Sequence, residues 1–429
     1  MNEFDKIYGY EKEKNELMKL CDILRNKDKY TALGVCAPKA VLLYGEPGLG
    51  KTLMAKAFIA QTGRKVFQCK KNRPSDEFAE EITKTFERAV KEAPSIIFLD
   101  DMDKFAEDNL KKDCNKEEFS IIQTGFVSLD NADVFVIATA NDITYLPDSL
   151  LRDGRFGRKI MFSSPSRTDS VKIIEHYLSA KKISPDISAE SLSYILSGKS
   201  CAMLESVINE AGICAAFENA DEITPDHIKS AISSVLIERL PLNASKEKKT
   251  KIAYHEAGHA ALCLLFHKKI SCLAIGKCGK DGIGLGCCIV SENDSEIAAD
   301  SPFEENRRYI VTLLGGKAAS ELRYGEIELG ARRDIDRAVE TLEFLLRESA
   351  AYGFEYCYTT NKFSQSQAYK HLDDIQQKIG ELLNEYYAEA KTLLSENTDL
   401  LDCIATALAE KEILLYDEIE AIAEKFGLD

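Results

Sequence analysis

The chain has 429 residues, 45% of them apolar and 29% charged, with Lys+Arg 55 against Asp+Glu 71 for a net charge of −16. Such a composition fills two or three domain cores and excludes a disordered chain. The acidic balance argues against a nucleic-acid binder and against a polybasic membrane-surface protein. No run approaches the ~18–20 apolar residues a spanning helix needs; the longest, such as Ala260–Phe266, suit a core helix. The first fifteen residues carry Glu3, Asp5, Glu11 and Glu13 and lack an apolar segment, so no signal peptide is expected. Thirteen cysteines, an odd number without a C-x-x-C, predict free thiols in a reducing cytoplasm.

In chain order, short β-rich runs at Ala40–Tyr44, Ser95–Leu99, Val134–Ala138 and Lys159–Phe162 alternate with helical stretches. This predicts a parallel sheet covered on both faces. Residues 168–237 lack such runs and predict a helical module, with a helix start at Pro225 after Thr224. The polar, Lys-rich stretch 238–251 reads as a linker. Beyond it, Ser301-Pro302-Phe303-Glu304 predicts a helix start and Gly325 that helix's end. Glycines and β-branched residues between 270 and 292 predict a small sheet, and the apolar period of residues 373–395 predicts a helix.

Gly45-Glu46-Pro47-Gly48-Leu49-Gly50-Lys51-Thr52 fits G-x-x-x-x-G-K-[ST], with an apolar strand before it and a helical run after it. Glycines let backbone N–H groups wrap phosphates, and the helix N-terminus adds positive potential. Lys51 then meets the β- and γ-phosphates and Thr52 holds Mg²⁺. The strand ending at Asp100-Asp101 is expected to deliver a carboxylate beside the phosphate-loop strand, Asp100 serving Mg²⁺ and Asp101 orienting water.

His255-Glu256-Ala257-Gly258-His259 matches H-E-x-x-H. Residues four apart share one helix face about 6 Å along the axis, so two imidazoles can converge on one Zn²⁺. Glu256 lies beside the metal, placed to take a proton from water that zinc acidifies. Gly258 weakens a helix, which predicts a packing or access reason for it. A third ligand is required, and spacing alone leaves Asp334, Asp336 and Glu321 open; His267 and His371 offer little.

The two sites on one chain resemble the FtsH family of AAA+ zinc metalloproteases, over nearly the whole length. Val134–Asn141 is similar to that family's sensor strand, with Asn141 as polar sensor. Leu150–Arg158 resembles its second region of homology, which implies Arg155 and Arg158 as arginine fingers reaching a neighbouring subunit's ATP. Tyr254–Ala260 matches the zinc helix, and Gly315-Gly316 through Gly325 also matches. Gly330–Ile335 resembles the segment supplying the third ligand, which selects Asp334 and implies Glu321 as an acid behind the ligands.

The implied fold is multidomain: an α/β P-loop AAA+ domain (1–166) with a helical lid (167–237), a linker (238–251), and a mostly α-helical zinc metallopeptidase domain (252–429). The implied activity is an ATP-dependent zinc endopeptidase with Glu256 as base. Its cofactors are Zn²⁺, ATP and Mg²⁺, and its partners are polypeptide substrates and further copies in a ring, implied to be hexameric. The alternatives are a peptidase whose ATPase ring mainly scaffolds assembly, and a remodeller without proteolysis.

Departures from the family shape these expectations. The family begins with transmembrane helices, whereas this chain begins almost directly at the ATPase domain. The family's second acid is glutamate, and Asp101 is one methylene shorter. The pore-loop stretch Cys69–Asp76 has no aromatic residue; Phe78 is the nearest, and reads better as a packed helix residue. Ser197–Ser200 differs from the family's lid motif, and Arg332 and Arg333 precede Asp334. Gly284–Val290 reads either as an edge strand able to pair with an extended peptide or as an interior strand.

Overall fold

The computed structural model describes residues 2–35, 37–71, 75–106, 117–239, 244–278, 284–291, 302–325, 331–353, 356 and 365–428. They form two compact units: 1–180 with 198–206, and 181–197 with 207–429.

The first unit opens with helices α1 (Glu11–Arg25) and α2 (Lys27–Thr31). A run of strands and helices follows: β1 (Ala40–Tyr44), α3 (Lys51–Thr62), β2 (Lys65–Lys70), α4 (Ser75–Lys91), β3 (Ser95–Asp100), α5 (Glu117–Ser128), β4 (Val134–Ala140), β5 (Arg158–Met161) and α6 (Arg167–Ser179). The strands pair in parallel in the order β2-β3-β4-β1-β5. β3 and β4 are buried throughout and β1 nearly so, which is why they are written as unbroken apolar runs. β2 escaped the sequence reading for the opposite reason. KVFQCK buries only Phe67 and Cys69 and leaves its charged ends exposed, the pattern of a strand at a sheet edge.

The topology corrects one expectation. Asp100 does not arrive beside the phosphate-loop strand, because β4 lies between β1 and β3. Strands sit about 4.8 Å apart, so the carboxylate starts roughly 10 Å from β1 and is met by side chains of β4 and α3. Phe78, in α4, is fully buried and packs edge-on against Phe105 with ring centroids 4.8 Å apart. Residues 72–74 of the pore-loop stretch lie outside the described residues.

Helices α7 (Ala189–Ile195), α8 (Cys201–Phe217) and α9 (Pro225–Ala231) follow. α9 starts where the sequence predicts, its first turn closed by the Thr224 N–H donating to His227 Nδ1 at 2.9 Å. The second unit continues with α10 (Lys246–Leu265), β6 (Ile270–Cys278), β7 (Gly284–Val290), α11 (Phe303–Tyr324), α12 (Arg332–Arg347), α13 (Gln365–Glu396), α14 (Thr398–Lys411), β8 (Ile413–Leu415) and α15 (Tyr416–Lys425). α10 starts at Lys246 with the Ser245 hydroxyl accepting the Lys248 N–H, so 246–251, read as the end of a linker, is helical. Residues 240–243 and Ser301 lie outside the described residues. Gly325 ends α11 at φ 68°, as expected.

The small sheet is antiparallel in the order β7-β6-β8 and covers a core of α10, α11, α12, α13 and α14 side chains. Within that core α10 and α11 meet backbone to backbone. A Cβ placed on Gly258 would lie 2.3 Å from the Gly315 carbonyl oxygen, and one on Gly315 2.7 Å from that of Gly258. This crossing is the packing reason for Gly258, and it presses the H-E-x-x-H turn against α11. Among the described residues no helix is long and apolar enough to cross a membrane.

Candidate functional site

The phosphate loop joins β1 to α3, with Gly45, Gly48 and Gly50 at φ 140°, 80° and 84°, where a side chain would be strained. Leu49 is buried beneath the loop, while Glu46, Pro47, Gly48 and Gly50 face solvent. Lys51, the first residue of α3, donates to the Gly45 and Glu46 carbonyls at 2.6 Å each and to Asn141 Oδ1 at 3.0 Å. Burial pulls the Lys51 pKa down, and the nearby Asp103, Asp101 and Glu46 oppose it. Asn141 is itself aimed: its backbone N–H and its Nδ2 donate to Asp103 at 2.9 and 3.2 Å. Sequence reading missed Asp103, although the acids at 100, 101 and 103 were its available signal.

Asp100 is almost fully buried, and donors surround it. Its Oδ1 accepts from Thr52 and Thr139 at 2.9 Å each, and its Oδ2 accepts from Lys70 at 2.9 Å. Burial alone would raise its pKa, but these donors outweigh it and hold the carboxyl ionised. A hydroxyl and a carboxylate oxygen in contact, Thr52 and Asp100, are the donor set that Mg²⁺ favours. Asp101 takes a left-handed turn at φ 57°, its N–H donating to the Thr139 hydroxyl at 2.9 Å. Its Oδ2 lies 3.3 Å from Lys70 and 3.2 Å from Lys104. Arg155 donates to the Ser149 carbonyl at 2.5 Å, and Arg158 lies 3.7 Å from Glu16. The backbone N–H of Ala202, at the start of α8, donates to the Gly48 carbonyl at 3.0 Å.

The second site is built on α10 and α12. His255 Nε2 and His259 Nε2 are 3.3 Å apart, and Asp334 Oδ2 lies 3.3 Å from the first and 3.5 Å from the second. Three donors around a tetrahedral zinc with bonds of ~2.0–2.1 Å are separated by about 3.3–3.4 Å. The triangle therefore has the size of one face of a zinc tetrahedron. These three residues are the only cluster of metal-binding type among the described residues. Asp336 pairs instead with Arg332 at 3.7 Å, and Gly330 lies outside the described residues.

Burial opposes ionisation of Asp334, but hydrogen bonds from His255 and His259 win, and hold it well below the usual carboxylate range. Burial likewise opposes charge on His259, yet Asp334, Glu256 and the Thr312 carbonyl push it up to about 9. The His259 Nδ1–H donates to that carbonyl at 2.8 Å, which fixes the tautomer leaving Nε2 for a metal. Glu256 is buried, and loss of water pushes its pKa up while the two histidines pull against the shift.

Two glycines complete the site; the sequence reading placed Gly316 in a family-like segment and Gly286 in a strand, and gave neither a role. A Cβ on Gly316 would lie 2.5 Å from His259 Nε2 and 2.6 Å from His255 Nε2, so only glycine leaves the metal position clear. A Cβ on Gly286, in β7, would lie 2.4 Å from Glu256 Oε1, so this strand passes directly over the acid. β7 pairs only with β6 among the described residues and is an edge strand.

One implied role is corrected. Glu321 does not stand behind the histidines; its carboxylate accepts from Tyr387 and from Lys391, the latter at 2.9 Å, both on α13. Tyr387 and Lys391 capture the acid, and the Thr312 carbonyl performs the orienting role at His259.

Residues 41–164 match the family described as "ATPase family associated with various cellular activities (AAA)", and residues 242–422 match "Peptidase family M41". An ATP-dependent zinc metalloprotease FtsH of Aster yellows witches'-broom phytoplasma is 31% identical over 98% of this chain and 63% of its own length. FtsH 4 of a Synechocystis species is 30% identical over 97% of this chain and 70% of its own length. The chain belongs to the FtsH family. A third relative, from Streptobacillus moniliformis, is 31% identical over 98% of this chain and 64% of its own length. The chain thus spans about two thirds of these curated relatives. Its fold class is that of the family, an α/β AAA domain followed by a mostly helical M41 domain.

Proposed function

We propose that this FtsH-family chain is an ATP-dependent zinc endopeptidase. The observation that carries the reading is the triangle of His255, His259 and Asp334 with Glu256 buried at its side. When bound there, zinc supplies Lewis acidity, lowering the pKa of water to about 7 and polarising the scissile carbonyl. Glu256 accepts the proton of the attacking water as the new C–O bond forms. It then returns that proton to the amine as the C–N bond breaks, so the peptide and one water become an acid and an amine. β7, the outer strand of its sheet among the described residues, pairs with the extended substrate and presents its carbonyl beside Glu256.

The AAA domain binds Mg·ATP through the Gly45–Thr52 loop, with Lys51 on phosphate, Thr52 and Asp100 on Mg²⁺, and Asn141 as sensor. Arg155 and Arg158 act on a neighbouring subunit's nucleotide, which requires a ring of copies, taken here as six. ATP turnover feeds unfolded polypeptide to the zinc sites. The ATPase domain, the helical lid and the metallopeptidase domain divide near residues 166 and 237, the last carried by α10 from Lys246 onward. Thirteen cysteines with no C-x-x-C suit a cytoplasmic setting.

Glu256→Gln and a chelator should each abolish casein cleavage, and Lys51→Ala should abolish cleavage of a folded substrate while leaving short peptides cut. If casein is cleaved equally by Glu256→Gln with zinc bound, Glu256 is not the base. A second reading, an ATPase ring that mainly scaffolds assembly, is favoured by Asp101, a short acid held between two lysines. Peptide cleavage with nucleotide-dependent assembly but negligible ATP hydrolysis would select it.

A further inference from the structure

The cation beside the two acids of the nucleotide site comes from the protein. Lys70 ends β2, and the parallel register pairs Lys70 with Asp100 on β3. The sheet itself therefore places this lysine at the acids. Its ammonium donates to Asp100 Oδ2 at 2.9 Å and lies 3.3 Å from Asp101 Oδ2. Lys104 closes on the same Asp101 oxygen from the other side at 3.2 Å. The hydrogen bond to Asp100, ahead of a small burial penalty, raises the Lys70 pKa, so it stays charged. An ordinary surface ion pair is worth little. Here one partner, Asp100, has a side chain only 2% exposed, with its other oxygen already bonded to Thr52 and Thr139.

We propose that Lys70 is a positioning residue of the nucleotide site, a built-in counter-cation that bridges Asp100 and Asp101 and competes with magnesium for them, so that it sets the magnesium requirement of nucleotide binding. This rests on the nucleotide-site reading above. With Lys70 in place, a divalent ion meets carboxylates already neutralised and a like charge beside them. Mg²⁺ and ATP must together draw the acids away from the lysine, and Asp101 becomes free to orient water only when that happens. Half of the Lys70 side chain is exposed, so it has room to swing aside without disturbing the core.

The test uses the full chain and a non-hydrolysable ATP analogue, with binding followed by calorimetry at graded Mg²⁺ and again in EDTA. Lys70→Met should lower the Mg²⁺ concentration for half-maximal analogue binding by about tenfold, the order expected when one unit charge beside a divalent ion is removed in water-like dielectric. Affinity in EDTA should stay within twofold of wild type, and Lys70→Arg, which keeps the bridge, should behave as wild type. An unmoved Mg²⁺ curve in Lys70→Met overturns the proposal. So does a tenfold loss of affinity in EDTA, which would make Lys70 a phosphate ligand instead. If the wild type binds no analogue in either condition, the nucleotide-site reading falls and the proposal with it, an outcome distinct from failure of the bridge alone.

Discussion

Gly286→Ala tests whether β7 positions Glu256. The added methyl would sit 2.4 Å from Glu256 Oε1 and 2.6 Å from its Cδ and Cγ. An ordinary carbon–oxygen contact is about 3.3 Å, so strand or carboxylate must yield by roughly 1 Å. Glu256 cannot retreat far, because it is buried on a helix turn that is itself locked by the Gly258–Gly315 crossing. A misplacement of 1 Å at a reacting group costs about 10²-fold, or ~2.7 kcal/mol of transition-state stabilisation. The assay is kcat/KM on a fluorogenic peptide, with zinc content and melting temperature measured on the same preparation. The expected result is a loss of about 10²-fold in kcat/KM with zinc still bound and the fold intact. Activity within twofold of wild type would refute the reasoning and show that the strand and the acid are not coupled.

Gly316→Ala should act on the metal instead. Its methyl would lie within 2.6 Å of both imidazole Nε2 atoms, so zinc per chain should fall well below wild type at equal free zinc while the melting curve in EDTA is unchanged. Phe78→Ala should unfold the first unit more readily, by about 3–5 kcal/mol, rather than weaken substrate grip, since Phe78 is fully buried against Phe105; urea titration of the first unit's signal checks it. Glu321 is held down to about 2 by Tyr387 and Lys391, so it contributes stability fully present above about pH 4.5 and lost as pH falls toward 2. The melting-temperature gap between wild type and Glu321→Gln should accordingly be constant from pH 7 to 5 and close below pH 4.5; a gap that widens on acidification contradicts it.

Both sites were legible in the sequence where chemistry fixes residue types at short spacing. Phosphate wrapping demands the Gly45–Thr52 pattern, and helix geometry demands His255 and His259 four apart. Burial on both faces made β1, β3 and β4 visible as apolar runs, whereas β2 buries two side chains in six and carries no such mark. What sequence could not give was anything that depends on which elements meet. The insertion of β4 between β1 and β3 brings Thr139 to Asp100, the sheet register brings Lys70 there, and a helix crossing makes Gly315 and Gly316 part of a metal site. Glu321 shows the converse: resemblance implies a role behind the ligands, but two side chains of α13 hold it elsewhere. The third ligand was left open by spacing among three acids, and came from resemblance rather than from geometry.

The most direct measurement is the metal content of the purified full chain, wild type beside His259→Ala and Asp334→Ala. One zinc per wild-type chain, lost in both variants and retained in Glu256→Gln, is the predicted result. Wild-type protein that holds no zinc at micromolar free metal, or holds it equally well without Asp334, would contradict the assignment of these three side chains as a metal site.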